Sequence, residues 1–458
     1  MDKQSDSIDF NEVKDNDVMC ILPWIHMHPW PNGKTMLCCD SPWESHIGDL
    51  RQNSLEEVWN SDDMKEVRLK MLQGKKCKQC VRCYEKEKYG HDSLRVRSNK
   101  DWLEKHWDKV TKTNADGSLD DLHIVYLDFR FSNVCNLRCR YCGPELSSNW
   151  FKDAVKSSWN ITPTEKIIQI RKDVDGFMDE FEPMLEHIEQ IYWAGGEPIM
   201  MDEHWGIMNK LVEMGKTDIR IFYNTNFTKL KYKKYNVLDL WKNFDHISIG
   251  ASLDAEGARG EYQRKGTKWA DVVNNIEQLK QESPDIDFYV SATVSAYNAW
   301  HITDFHKNWV KKGYIRPGDW YMNVLLNNPR FRMSVLPSEF KQEIKYKWQR
   351  HLKWLEPLDH IGRATEGYKS AIKFLDDSQV KLTEYSELVI DEYIFNPDPS
   401  KSKMALKFTL GTARFITGTF NKIDKQNIKL STPTANIAIR GTDFTATVDE
   451  LGRSLIIL

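Results

Sequence analysis

Between His123 and Leu326 the sequence alternates six short β-rich runs with longer amphipathic stretches, and few folds accommodate that alternation. The runs are HIVYLDFRF (123–131), QIYWAG (190–195), IRIFYNT (219–225), HISIGAS (246–252), IDFYVSATV (286–294) and WYMNVLL (320–326). Stretches at 167–189, 203–215, 268–281 and 301–312 are each long enough for a crossover helix. Repeated strand–helix–strand units of one hand build a parallel sheet. Six of them curl into an open barrel, with chemistry expected at the carboxyl ends of the strands. The expected fold class is therefore α/β, a partial (β/α)6 TIM-like barrel, with a small Cys-rich domain before it and an all-β domain after it.

At 458 residues the chain has room for two or three domains. The expected division is a disordered N-terminus (1–17), a Cys-rich domain with its linker (18–120), the barrel with a helical extension at 338–376 (121–380), and a β domain (381–458). The loop TNADGSLDD marks the first boundary, a charged helix at 94–110 precedes it, and from Lys381 the periodicity switches to two. A net charge of −3 argues against a dedicated duplex-DNA binder, so no nucleic-acid partner is expected. The basic run Lys229–Tyr235 reads as the solvated start of a helix. The N-terminus lacks the order of a signal peptide, and no apolar run approaches the roughly 20 residues that span a bilayer. A cytoplasmic protein with no membrane segment is expected.

Nine cysteines in such a protein stay reduced, and clustering then signals metal or catalysis rather than disulfides. Six lie before residue 84, three lie at 135, 139 and 142, and none follow. Cys135, Cys139 and Cys142 stand in C-x-x-x-C-x-x-C spacing directly after the first run. Three thiolates can hold three irons of a cubane and leave the fourth open to a chelating amine and carboxylate. Three core cysteines, or a zinc site short of a ligand, are the plainer readings of the same residues.

The stretch CNLRCRYC, with the aromatic Tyr141 before its last cysteine, resembles the defining motif of the radical S-adenosylmethionine (SAM) superfamily. WAGGEP (193–198) is similar to that family's GGE motif, and the resemblance assigns the SAM amino group to Gly195, Gly196 and Glu197. YNTNFT (223–228) is similar to its strand ending in T-N-G, which brings in Asn224, with Phe227 standing where glycine is common. SLDAEGARGEYQRKGTKW (252–269) is similar to the segment whose Ser and Asp reach the ribose and whose Arg reaches the carboxylate, here Ser252, Asp254 and Arg264. The resemblance covers about residues 123–330.

Upstream, Cys20 and Cys38 bracket Gly33, and CKQCVRC supplies Cys77, Cys80 and Cys83 after a helical stretch. This unit is similar to the SPASM and twitch domains of radical SAM enzymes, although here it precedes the core. The resemblance implies an auxiliary [4Fe-4S] cluster on Cys20, Cys38, Cys80 and Cys83, with Cys77 as the competing ligand. A structural zinc knuckle is the alternative. The C-terminal segment, through Thr432-Pro433 and Arg440-Gly441-Thr442, resembles a FecR-like domain, a non-catalytic class, and stops at RSLIIL in what reads as a mid-sheet strand of a truncated domain.

Together these resemblances imply an enzyme with a [4Fe-4S] cluster and SAM, which reductively cleaves SAM to a 5′-deoxyadenosyl radical. That radical would abstract hydrogen from a peptide or protein side chain, with electrons from an external donor. A small-molecule or RNA substrate is the alternative within the class. The rival from another class is a non-enzymatic binding protein working through the FecR-like segment.

Overall fold

The computed structural model describes residues 10–14, 16–88, 92–157, 163–325, 328–373, 375, 379–382, 387–394, 403–416, 427–434, 436–437, 443–449 and 453–457. Residues 1–9 of the expected disordered terminus, Leu326 of the last barrel run, and Arg440, Gly441 and Thr442 lie outside them. The chain divides into two compact units, one of Met1–Ala292 with Gly313–Ile315 and one of Thr293–Lys312 with Arg316–Leu458.

The barrel strands are β1 (Tyr126–Leu127), β2 (Gln190–Trp193), β3 (Arg220–Thr225), β4 (His246–Ala251), β5 (Asp287–Val294) and β6 (Trp320–Val324). They form one six-stranded sheet in the order β6-β5-β4-β3-β2-β1, and the pairs from β1 through β5 are parallel. The fold class is thus the expected one: a parallel six-stranded α/β core, a Cys-rich N-terminal region and further strands at the C-terminus.

In β3 the alternation is complete, with Ile221, Tyr223 and Thr225 buried and Phe222 and Asn224 half-buried. The buried set faces the helices. Trp193 Nε1 meets Met208 Sδ on the helix Asp202–Glu213, and Tyr223 bonds His204 of that helix at 2.8 Å and packs on Trp241. The half-buried set of Tyr192, Asn224 and Tyr289 therefore lines the barrel interior, a polar face bordering a dry one.

Edge strands carry unpaired backbone groups that a protein must cover. Here the Cys-rich segment covers β1: Val125 N and Tyr126 N donate to Ile25 O, and Arg130 N donates to Pro29 O at 2.9 Å. His26 and His28 add side-chain bonds to the carbonyls of Tyr126 and Asp128, both at 2.8 Å. The segment is itself organised around Arg68, which is fully buried and donates to Pro23 O, Asn60 Oδ1 and Gly117 O while stacking over Trp59. Gly117 belongs to the loop expected as a domain boundary, so that loop is packed against the Cys-rich unit.

Three local expectations are corrected. Phe10–Lys14 forms a short helix inside the span expected to be disordered, because Val13 is buried and Phe10 packs edge-on against Trp107. The 94–110 helix is two pieces, Leu94–Trp102 and Trp107–Thr111. Lys229–Tyr235 contains a hairpin rather than a helix start: Lys231–Tyr232 pairs with Tyr235–Asn236, and Lys233 takes a positive φ between them.

In the second unit, Ser338–Leu355 and Arg363–Lys373 realise the helical extension. Buried between elements of this unit are His306 and His351. His306 Nε2 meets Pro317 O at 3.0 Å, and a carbonyl only accepts, so Nδ1 of His306 must receive the bonds from His351 Nε2 (3.1 Å) and Tyr368 (3.4 Å). That leaves His351 Nδ1 buried with no partner among the described residues. Burial holds both imidazoles neutral, His306 down to about 3 and His351 down to about 2.

Groups with depressed folded values contribute stability that is present above their ordinary value of 6.5 and is lost as pH falls toward 3. Each histidine is expected to remove about 1.4 kcal/mol of stability per pH unit below about 6. Thermal unfolding at pH 7, 6 and 5 checks this, and His351→Phe should reduce the slope. An unchanged slope would refute the assignment to this pair.

The C-terminal strands are built on Lys403–Ile416. It pairs antiparallel with Gln379–Leu382, Glu387–Ile394 and Asp443–Val448, and parallel with Ile428–Ser431. Thr432-Pro433 sits at the bend after Ile428–Ser431. Ser454–Ile457 pairs antiparallel with Asp443–Val448 and stands last in the sheet order among the described residues.

Candidate functional site

At the carboxyl ends of β1 through β4 the structure brings the first cysteine motif together with the residues expected around it. Cys139 is buried and Cys135 and Cys142 are partly exposed. Burial pushes all three thiols up, Cys142 to about 12, and Cys139 further raises both Cys135 and Cys142. Protonated thiols in such a place bind metal by losing their protons to it.

N–H groups already point at the sulfurs: Leu137 N lies 3.5 Å and Asn226 Nδ2 3.9 Å from Cys135 Sγ, and Arg264 Nη1 lies 3.7 Å from Cys139 Sγ. Donors aimed at sulfur suit cluster-bound thiolates. The Tyr141 hydroxyl is buried without a partner among the described residues, an opening that a bound polar molecule would fill. The residues present therefore fit a cubane with one small ligand beside it.

Gly195 and Gly196 hold the turn after β2. Gly195 has φ +119°, and a Cβ on Gly196 would overlap Val134 O and come within 2.8 Å of Asn133 C. No other residue lets this turn lie so close to the cysteine loop. Glu197 then tucks under it, 1% exposed, accepting from Thr225 Oγ1 (2.7 Å) and Asn226 N (2.8 Å). Burial outweighs these bonds and raises its carboxyl to about 7.

Phe227 has φ +56°, so the chain keeps the glycine-like turn despite the side chain, which is buried against Phe288. Such a conformation costs a non-glycine residue about 1 kcal/mol. The apolar contact offsets it.

Arg264 and Cys139 are register partners in a short antiparallel pair. The guanidinium grips Asp254 with two bonds, 2.7 and 3.2 Å, and lies 5.7 Å from the Tyr141 ring. Ser252 ends the β4 segment, its N bonded to Thr225 O. Asn224 faces the barrel interior and bonds Tyr192 at 2.5 Å, whereas Asn226, two residues on, touches Cys135 and Asn136. Asn226 was not among the expected site residues. Its only sequence signal is its place in the T-N-F triplet.

In the Cys-rich segment Cys20, Cys38, Cys77, Cys80 and Cys83 are all buried. Cys20 and Cys38 lie within electrostatic reach of each other and of both Cys80 and Cys83, and burial pushes Cys20 and Cys38 up to about 12. Cys77 lies beside Cys80 with its sulfur 3.7 Å from Val67 O and 3.8 Å from Lys75 O. Cys39 is exposed and lies within electrostatic reach of Asp128 and Arg130 at the end of β1.

Three family matches agree with these places: SPASM, an iron–sulfur cluster-binding domain, at residues 20–84; the radical SAM superfamily at 129–294; and FecR protein at 363–457. The chain therefore carries a SPASM domain, a radical SAM domain and a FecR-like domain, in that order. The middle one is an enzyme superfamily, and together the first two imply a [4Fe-4S] cluster with SAM and an auxiliary iron–sulfur site.

No curated protein matches the chain. Among solved structures, native anSMEcpe with bound AdoMet is 17% identical, over 50% of this chain and 60% of that one, with a TM-score of 0.34. Streptococcus suis SuiB bound to S-adenosylmethionine is 13% identical, over 64% and 62%, with a TM-score of 0.30. The chain spans less than two thirds of either.

Proposed function

We propose that the chain is a radical SAM enzyme that modifies a peptide or protein side chain. The observation that carries the reading is the convergence of Cys135, Cys139 and Cys142 with Glu197, Asp254 and Arg264 at adjoining strand ends. A cluster bound there would supply the one-electron chemistry that cleaves SAM, the hard step that belongs to the cofactor. The protein's share is to hold three thiolates with their fourth neighbour position open, to keep Arg264 charged beside Cys139, and to present Gly195, Gly196, Glu197, Asn224, Ser252, Asp254 and Tyr141 to the SAM molecule. The peptide substrate is supported by the iron–sulfur domain joined to the core. An external electron donor and a reducing, cytoplasmic setting are consistent with nine free cysteines. No helix among the described residues is long and apolar enough to cross a membrane.

The auxiliary quartet is assigned to Cys20, Cys38, Cys80 and Cys83, since Cys77 lies against the backbone carbonyls of Val67 and Lys75. Anaerobic reconstitution should give about eight irons per chain, two cubanes, with 5′-deoxyadenosine formed under dithionite. Cys77→Ala should keep about eight, and alanine at any one of the quartet should lower the count toward four. Absence of 5′-deoxyadenosine from iron-replete protein would overturn the enzyme reading. Loss of iron on Cys77→Ala alone would move the ligand assignment to that residue.

A further inference from the structure

At the mouth, just past the end of β1, the barrel carries a fixed cation that nothing above employs. Arg130 stands just past β1, its side chain 14% exposed, with Nη2 3.0 Å from Asp128 Oδ1 and 3.3 Å from Oδ2. Its guanidinium lies 5.2 Å from the Tyr192 ring, and Tyr192 is in turn bonded by Asn224. His28 braces Asp128 from behind, with Nδ1 3.2 Å from Oδ2. The opposite wall is kept close by Gly250, where a Cβ would come within 2.8 Å of Asn224 Oδ1 and 2.9 Å of Tyr289 Cε2. Residues of β2, β3, β4 and β5 thus adjoin one polar face beside Arg130.

Among the described residues only one guanidinium nitrogen of Arg130, Nη2, is engaged. Nε and Nη1 make no hydrogen bond among the described residues, although the planar fork is already oriented by an ion pair on one side and an aromatic ring on another. An oriented, largely desolvated guanidinium with unengaged N–H groups is suited to a carboxylate, which it can bind through two parallel bonds. Cys39 of the iron–sulfur segment lies within electrostatic reach of this same pair and is the most exposed of the nine cysteines. The cation therefore sits where the iron–sulfur segment meets the mouth of the barrel, beside the turn at Gly195, whose Cβ position is 3.6 Å from Arg130 Cα.

We propose that Arg130 receives a carboxylate of the substrate, so that the peptide presents an acidic side chain or its own C-terminus to the barrel interior. The proposal deepens the radical SAM reading and rests on it for the location of the substrate.

Cys39 offers a readout that needs no turnover. In cluster-loaded full-length protein, held anaerobically with SAM, the rate of Cys39 alkylation by iodoacetamide is followed by peptide mass spectrometry. Three octapeptides serve as probes: one N-acetylated and C-amidated with a central glutamate, its glutamine counterpart, and the glutamine peptide with a free C-terminus. One or both carboxylate peptides should slow alkylation at concentrations about tenfold lower than the neutral peptide needs, as a charge-assisted pair of bonds implies. Which one does so identifies the source of the carboxylate. Arg130→Gln should abolish the difference and Arg130→Lys should retain part of it. Equal protection by neutral and acidic peptides, or an undiminished preference in Arg130→Gln, would overturn the proposal. 5′-Deoxyadenosine measured in the same samples separates the two claims: charge-selective protection without SAM cleavage would sink the enzymatic reading and leave the carboxylate site standing.

Discussion

Cys139→Ala is expected to abolish SAM cleavage, by more than a thousandfold, while leaving the auxiliary irons in place. Cys139 is the most enclosed of the three thiols, 8% exposed, and it is the register partner of Arg264 across the short antiparallel pair. Losing it removes one of three cluster ligands and the sulfur toward which Arg264 Nη1 points. Two thiolates hold a cubane poorly, so the count should fall from about eight irons to about four, all in the Cys-rich segment. A Cys39→Ala control changes an exposed thiol that is outside both sets and should leave the count at about eight. Iron analysis and 5′-deoxyadenosine quantitation decide the matter together. A Cys139→Ala protein that still cleaved SAM would exclude the motif as the catalytic centre, and one that lost all iron would mean that the two sites are not independent.

Several parts of this site were legible because they depend on local backbone chemistry. Gly196 sits where a side chain would strike the cysteine loop and Gly195 takes a strongly positive φ, so the residue types themselves report the tight turn. The three cysteines are equally local, with their spacing fitting them to one loop. The barrel was legible through its period of two, as in β3, where Ile221, Tyr223 and Thr225 alternate with Phe222 and Asn224. What could not be read depends on where the chain turns. Asn224 and Asn226 look equivalent in the text, yet the turn at Phe227 carries Asn226 to Cys135 and leaves Asn224 inside the barrel. In KLKYKKY (229–235) the apolar Leu230 and Tyr232, two apart, contained a strand signal that charge obscured. Likewise Cys38 and Cys39 are neighbours in sequence but face different surroundings, which only the path of the Cys-rich segment along β1 decides. The role of Asp128 and Arg130 was hidden for the same reason, since their partners His28 and Tyr192 are remote in sequence.

Removing the carboxylate of Asp254 should cost the first compact unit about 3–5 kcal/mol, the usual penalty for breaking a buried ion pair by deleting one partner. The Asp254 side chain is 0% exposed and that of Arg264 12%, and two bonds join them. Neither charge has much water to fall back on. In Asp254→Ala the guanidinium is left with Cys139 Sγ and the face of Tyr141, neither of which replaces a carboxylate. The double variant Asp254→Ala/Arg264→Met should recover much of the loss, because it removes the stranded charge as well, and the two effects should be strongly non-additive. Denaturant unfolding of the anaerobic protein without SAM measures all three variants. The same series separates two roles for Asp254. If the acid serves chiefly to hold Arg264 beside the cysteine loop, stability falls without SAM present. If it serves only the ribose, stability is unchanged and SAM affinity alone declines. The bidentate geometry favours the first outcome, and an unaltered midpoint in Asp254→Ala would refute it.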